Sequence, residues 1–144
     1  MLKAGDFMTK NVVSVKRNTP IFEALELLRK NDITGMPVID DDMTLVGIIT
    51  EKDILKLFYT GGNYQDKTVD FFMTQPAVSF GVDESLESVC DFLMVKYFRR
   101  VPVVSVKGKL VGIISRPDII DFIIVQGRMH GQEQSEANLV SPAT

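Results

Sequence analysis

The chain has 144 residues, of which 45% are hydrophobic and 24% charged, and its formal net charge is −3. Because 16 basic side chains are outnumbered by 19 acidic ones, there is no basic excess to neutralise a phosphate backbone, which disfavours a dedicated nucleic-acid binder. One cysteine and one histidine exclude an intramolecular disulfide and a Cys/His zinc site, so the sequence predicts no metal and a reducing, cytoplasmic location.

The predicted elements of the first half follow a β-α-β-β-α order. Its first helix is predicted from Ile21, Ala24, Leu25 and Leu28, whose i, i+3, i+4, i+7 spacing marks one buried face. The remaining elements are a strand at 12–15, strands at 36–39 and 45–49 around the acidic turn 40–42, and a closing helix at about 51–59. None of the apolar runs is long enough to span a membrane.

The second half predicts the same order again. Its elements are a strand at 77–80, a helix with apolar positions at Leu86, Val89, Cys90 and Leu93, strands at 101–106 and 110–114, and a closing helix at about 116–125. The dipeptide Lys107-Gly108 between its last two strands is an ordinary hairpin signal.

An internal repeat explains this duplication. A shift of 65 residues aligns 7–9 with 72–74, and it also aligns 45–49 with 110–114 without a gap. One unit of about sixty residues buries too little surface to be stable alone, so the two copies are expected to pack against each other. The predicted fold is α+β, with repeat 1 at 6–60, a linker at 61–70, repeat 2 at 71–126, and a disordered polar tail at 127–144.

Each copy ends in a Gly-h-h-[Ser/Thr]-x-x-Asp pattern, in which h is apolar. The pattern spans 47–53 and 112–118, and each copy also has an x-Pro-Val strand and a leading Met-Thr. In this combination the chain resembles the CBS domain family, specifically a tandem pair (a Bateman module), over about 6–125. The resemblance implies a pseudo-twofold pair that binds adenosine-containing ligands (AMP, ADP, ATP or S-adenosylmethionine) in clefts between the repeats.

The resemblance also implies roles for individual residues. Asp53 and Asp118 are expected to accept hydrogen bonds from ribose, and Thr50 and Ser115 to face phosphate. The expected adenine pockets contain Val12, Val13, Met36 and Pro37 on one side, and Val78, Val101 and Pro102 on the other. Carboxylates suit a ribose diol because they only accept hydrogen bonds.

Four basic residues are further candidates for phosphate binding: Lys52, Arg99, Arg100 and Arg116. Arginine suits phosphate because its donors form a planar fork. The first copy has Thr34-Gly35 where the second has Arg99-Arg100, and this asymmetry favours the cleft around Ser115 and Asp118 for an anionic ligand.

The same residues have structural alternatives. A hydroxyl followed three residues later by an acid is also a helix capping box, and one residue can serve both purposes. The run 40–42 lacks the spacing of a calcium loop and is expected to be a solvated turn. Cys90 lies on an apolar stripe, and His130 lies in the predicted polar tail, so neither predicts catalysis.

These observations predict a non-catalytic regulatory module that needs no cofactor, forms a homodimer and acts on an unidentified protein. The alternative is a dimerising interaction module with empty clefts. A small enzyme is the third possibility, and no arrangement of nucleophile and base in the sequence favours it.

Overall fold

Two three-stranded sheets of the same topology form the framework of the chain in a computed structural model that describes residues 2–61, 65–95 and 98–137. In each sheet the middle strand is parallel to the first strand and antiparallel to the last. The strands are β1 (Val15–Lys16), β2 (Gly35–Ile39) and β3 (Leu45–Thr50) in one sheet, and β4 (Phe80–Gly81), β5 (Arg100–Val104) and β6 (Leu110–Ser115) in the other. The predicted α+β class and duplicated order are confirmed.

The described residues form six α-helices besides the strands. They are α1 (Ala4–Phe7), α2 (Ile21–Lys30), α3 (Glu51–Leu55), α4 (Val69–Phe72), α5 (Leu86–Val95) and α6 (Arg116–Ala137), and a 3-10 helix (Lys56–Thr60) continues α3. The apolar stripe of α2 is buried at Ile21, Ala24 and Leu28, as its spacing predicts.

Three features differ from the expectation. The strands β1 and β4 are only two residues long, and the short helices α1 and α4 were not predicted. The last helix continues to Ala137, so 127–137 is helical where the sequence predicted a disordered tail; 138–144 lies outside the described residues. The extension follows from good helix formers such as glutamine, glutamate and arginine, with no proline between Pro117 and Ala137.

The leading segment of each repeat, which contains its Met-Thr pair (Met8-Thr9 or Met73-Thr74), packs in the hydrophobic core of the other repeat. Val69 lies in the predicted linker and Phe72 and Met73 lie in the second repeat, but all three belong to the core that contains β2. Ala4 is completely buried in the core that contains β5, and Met8 packs against that core. The predicted linker at 61–70 therefore ends in residues that are part of the first core.

The two β-hairpin turns meet between the repeats. Leu45 donates its backbone N–H to the carbonyl of Gly108, and Leu110 donates to the carbonyl of Met43. Met43 (φ 73°) and Gly108 (φ 77°) are equivalent in the repeat and both adopt the left-handed conformation. Lys109 crosses this junction with its Nζ atom 2.9 Å from Asp42 Oδ2. The hydrogen bond from Lys109 holds the pKa of the Asp42 carboxyl well below its usual value.

Candidate functional site

The leading segment of each repeat lies on the last strand of the other repeat. Thr9 and Ile113 exchange backbone hydrogen bonds of 2.8 and 3.0 Å, and Thr74 and Ile48 do the same with equal lengths. These pairs are related by the 65-residue repeat. Residues from both copies therefore border each Ser/Thr-x-x-Asp motif. An alignment of one copy on the other could not show this arrangement.

A close approach of methionine explains the glycine of the motif. A Cβ atom on Gly112 would lie 2.6 Å from Cγ and 2.7 Å from Cβ of Met8. A Cβ on Gly47 would lie 2.8 Å from Sδ of Met73. The methionine of each leading Met-Thr pair therefore packs against the motif glycine of the other repeat.

One cleft contains the motif of the second repeat together with residues of the first. Its second-repeat members include Arg100, Ser115 and Asp118. Its full lining is Thr9, Asn11, Val12, Val13, Ile33, Gly35, Arg100, Ile113, Ser115 and Asp118. The structure therefore brings Val12 and Val13 to Asp118, and not to the aspartate of their own repeat.

Asp118 lies in the first turn of α6 and is half-buried. Its Oδ2 atom accepts a hydrogen bond of 2.9 Å from the backbone N–H of Ser115, and its own N–H donates to Ser115 Oγ at 3.3 Å. This is the capping box that the spacing allows. Within the described ranges no donor reaches Oδ1 of Asp118, so the carboxylate keeps acceptor capacity on the cleft.

Arg100 starts β5 opposite Ser115, to which it is paired in the sheet register. Its side chain lines the cleft, and its buried Nε atom has no hydrogen-bond partner among the residues that the structure describes. An unsatisfied buried donor costs about 1–3 kcal/mol, and a charged one costs more. An anionic oxygen in the cleft would remove that cost.

The other predicted phosphate residues lie elsewhere. Arg99 is exposed and offers its backbone carbonyl to the N–H of Arg116. The guanidinium of Arg116 donates to the carbonyl of Leu93 at 2.7 Å, so it supports the end of α5. Lys52 is exposed on α3.

The motif of the first repeat is more enclosed. Asp53 is only 5% exposed, and its Oδ2 accepts from both the N–H and the hydroxyl of Thr50 at 3.0 Å. Its Oδ1 accepts from the hydroxyl of Thr74 at 3.0 Å and lies 3.6 Å from Nζ of Lys56. Both oxygens of this carboxylate are therefore already occupied by the protein.

Four predicted adenine-pocket residues are core residues. Met36 and Val101 are each 1% exposed, and Pro37 and Pro102 are also completely buried. Val78 is 45% exposed and is not part of the cleft lining described above. The four buried residues lie in the x-Pro-Val strands β2 and β5. These are the middle strands of the sheets and have a neighbouring strand on both edges. The cleft instead uses Ile33, which precedes β2, and Gly35, which begins it, and neither belongs to a predicted motif.

The acidic turn is a set of ion pairs. Asp40, Asp41 and Asp42 contact Arg17, Lys16 and Lys109 respectively. In the described parts of the chain no group of three or more His, Cys, Asp or Glu side chains is arranged to hold a metal ion. No helix there has the length and apolarity needed to cross a membrane.

Comparison with known proteins identifies the family. The family model of the CBS domain matches the chain twice, at 4–60 and at 68–125. The chain belongs to the CBS domain family. The CBS pair expected from the repeated motif is thereby confirmed.

The chain is similar to CBS proteins that are longer than it. The chain is 34% identical to the CBS domain-containing protein CBSX2, chloroplastic, of Arabidopsis thaliana, over 81% of this chain and 61% of that protein. It is 31% identical to an inosine-5′-monophosphate dehydrogenase of Methanocaldococcus jannaschii, over 82% of this chain and 23% of the enzyme. The chain thus spans less than two thirds of the length of these relatives. A cytoplasmic location stays a prediction, because CBSX2 is named as chloroplastic.

Two solved CBS-pair structures have the same fold and contain adenosine ligands. CBSX2 in complex with AMP has a TM-score of 0.79 and 35% identity, over 88% of this chain and 99% of that one. The CBS pair of protein MJ0100, in complex with 5′-methylthioadenosine and S-adenosyl-L-methionine, has a TM-score of 0.71 and 28% identity, over 88% and 98%.

Proposed function

We propose that the chain is a non-catalytic regulatory CBS module that binds an adenosine nucleotide with a 5′-phosphate in the cleft around Asp118. The observation that carries this proposal is a pair of unmet hydrogen-bonding groups in one cleft. Asp118 Oδ1 receives no donor, and the buried Nε of Arg100 finds no acceptor, among the residues described. A nucleotide supplies both missing partners, through its ribose and its phosphate.

The ribose site is Asp118. A carboxylate oxygen with free lone pairs accepts the hydroxyls of a ribose diol, and the bond from Ser115 holds the carboxylate in place without consuming Oδ1. Val12, Val13 and Ile33 provide apolar surface for the base on the opposite side of the cleft. The ribose and base would thus be held by different repeats.

The phosphate site is Arg100 together with the hydroxyl of Ser115. A guanidinium binds phosphate through charge-assisted hydrogen bonds, which are about twice as strong as neutral ones. This cation distinguishes an anionic phosphate from the uncharged thioether of methylthioadenosine and from the sulfonium cation of S-adenosylmethionine. The AMP-bound state of CBSX2 supports the phosphate-bearing ligand for this chain.

Regulation follows from the composite construction of the cleft. A ligand that contacts Val12 in one repeat and Asp118 in the other stabilises one relative arrangement of the repeats. It shifts the equilibrium only by its difference in affinity for the two arrangements. The regulated partner is a protein or domain that binds one of those arrangements.

A thermal-shift panel tests the proposed function. AMP, ADP, ATP, methylthioadenosine, S-adenosylmethionine and NAD are compared with guanosine monophosphate as the control nucleotide. At 100 times its dissociation constant a ligand stabilises by about 2.7 kcal/mol, which raises the melting temperature by roughly 5–10 °C for a domain of this size. We expect phosphate-bearing adenosine ligands to give this shift and methylthioadenosine to give a smaller one. A flat panel would contradict the proposal.

An interaction module with empty clefts is the second candidate, and an exposed apolar set favours it. The closing helices of the two repeats expose apolar residues at equivalent positions, so the pseudo-twofold rotation exchanges the two sets. These pairs are Leu55 and Ile120, Phe58 and Ile123, and Tyr59 and Ile124. A surface that repeats itself in this way matches a second copy of the chain, so both candidate functions include a homodimer.

Light scattering after size-exclusion chromatography tests the homodimer. We expect the wild-type chain to elute with about twice its chain mass of 16.1 kDa, and Leu55→Lys/Ile120→Lys to elute with that mass itself. Lysine introduces charge at an interface core from which charged residues are depleted. Val106→Lys is the matched control, because Val106 is equally apolar and 94% exposed but lies outside the paired set. A wild-type monomer, or a variant that remains dimeric, would contradict the homodimer.

A further inference from the structure

The two clefts of this chain are not equivalent. Building on the proposed function, we propose that each chain binds one nucleotide, because the hydroxyl of Thr74 occupies on Asp53 the position that a ribose hydroxyl takes on Asp118. The cleft of the first repeat is therefore closed by the protein itself.

The first argument is the state of the two carboxylates. Asp53 accepts hydrogen bonds on both oxygens, from Thr50 at 3.0 Å and from Thr74 at 3.0 Å. Asp118 accepts on Oδ2 from Ser115, and no described residue donates to its Oδ1. A ribose hydroxyl finds an open acceptor on Asp118. On Asp53 it must displace the hydrogen bond from Thr74, which is intramolecular and therefore has no entropy cost of association.

The second argument is the residue equivalent to Thr74. Thr9 has the same hydroxyl and the same backbone pairing with the neighbouring strand, and it lines the open cleft. Its side chain makes no hydrogen bond to Asp118 within the described residues. The backbone of the two threonines is therefore paired in the same way, and the side-chain contact of Thr74 is what differs between them.

The third argument is the distribution of charge. Arg100 is paired with Ser115 in the register of the second sheet, and Gly35 is paired with Thr50 in the first. The first motif consequently lacks the cation that would face a phosphate at this position. Its nearby cation, Lys56, instead lies 3.6 Å from Asp53 and neutralises the ribose acceptor.

Isothermal titration calorimetry with AMP tests this inference on the full chain. We expect one equivalent of AMP per chain in the wild type. In Thr74→Val, which keeps the shape of the side chain but removes its hydroxyl, we expect a second and weaker equivalent. Thr68→Val is the control, because it makes the same chemical change at a hydroxyl that donates to Asp70 away from both motifs, and it is expected to retain one equivalent.

Each alternative outcome overturns a defined part of the inference. Two equivalents in the wild type would show that Asp53 is open. One equivalent in Thr74→Val would show that Thr74 does not close the cleft. Absence of AMP binding in the wild type and in every variant would overturn the proposed function and the inference together, so the two failures are distinguishable.

Discussion

Asp118→Asn is expected to weaken AMP binding about 10- to 150-fold, which corresponds to the roughly 1.5–3 kcal/mol of hydrogen bonds to a charged group. The amide has the shape of the carboxylate but no charge, and it offers one acceptor oxygen in place of two. Because no described residue donates to Oδ1 of Asp118, we expect the loss to fall on the ligand rather than on the fold. Calorimetric titration with AMP measures the affinity directly.

Asp53→Asn is the matched control, because it makes the same chemical change at the equivalent position. It removes the charge from a carboxylate that is buried and bonded to Thr50 and Thr74, so we expect it to lower the melting temperature more than Asp118→Asn does. Its affinity for AMP is expected to stay within about twofold of the wild type, as for a site without shared partners. If Asp53→Asn loses binding and Asp118→Asn retains it, the assignment of the ribose site is wrong.

Gly112→Ala is expected to destabilise the fold by about 1–3 kcal/mol, the usual cost of forcing an extra methyl group into a packed core. The new Cβ would lie 2.6 Å from Cγ of Met8, so the leading segment must move away from β6. The melting temperature should fall by roughly 2–12 °C for a domain of this size. Because Thr9 follows Met8 and lines the cleft, AMP affinity should fall as well.

Gly127→Ala provides the contrast for this experiment. Gly127 lies within α6, and among the described residues no atom outside its own helix lies within 4 Å of the added Cβ. Alanine at an unobstructed helix position is expected to stabilise by about 0.5–1 kcal/mol relative to glycine. Equal destabilisation by both substitutions would show that the contact with Met8 is not the reason that position 112 is glycine.

Local order in each repeat was predictable from the sequence because it depends on short-range patterns. The 3.6-residue spacing of Ile21, Ala24 and Leu28 placed α2, and the two apolar runs around the turn at 40–44 placed β2 and β3. The short strands β1 and β4 were placed too early, since β-branched residues at 12–13 line a cleft and are not in a sheet.

The helix α4 could not be recognised because its burial is provided by the other repeat. Val69 and Phe72 pack into the first core, and four residues are too few to show a helical period. The same difficulty applies to α1, whose Ala4 is buried in the second core. A linker cannot be distinguished in sequence from a segment that packs on the other repeat, because the packing partner lies in another part of the chain.

At the candidate site, the sequence singled out Ser115, Asp118 and Arg100, and the structure brings these three together. It also singled out Arg116, whose guanidinium is held instead by the carbonyl of Leu93. The direction of a side chain decides whether it lies in the cleft, and the order of residues in the sequence does not give that direction.

The sequence by itself determined the family and the duplicated order, because a 65-residue repeat preserves each motif in register, and it singled out Asp53 and Asp118 as candidates. Only the tertiary structure decided which copy supplies the other side of each cleft, since Thr9 and Thr74 cross to strands of the opposite repeat. It also decided that both oxygens of Asp53 accept hydrogen bonds, whereas no described residue donates to Oδ1 of Asp118. The two motifs have nearly the same chemistry, and the hydrogen bond from Thr74 to Asp53 joins residues 21 positions apart in the sequence, a separation that no local pattern records.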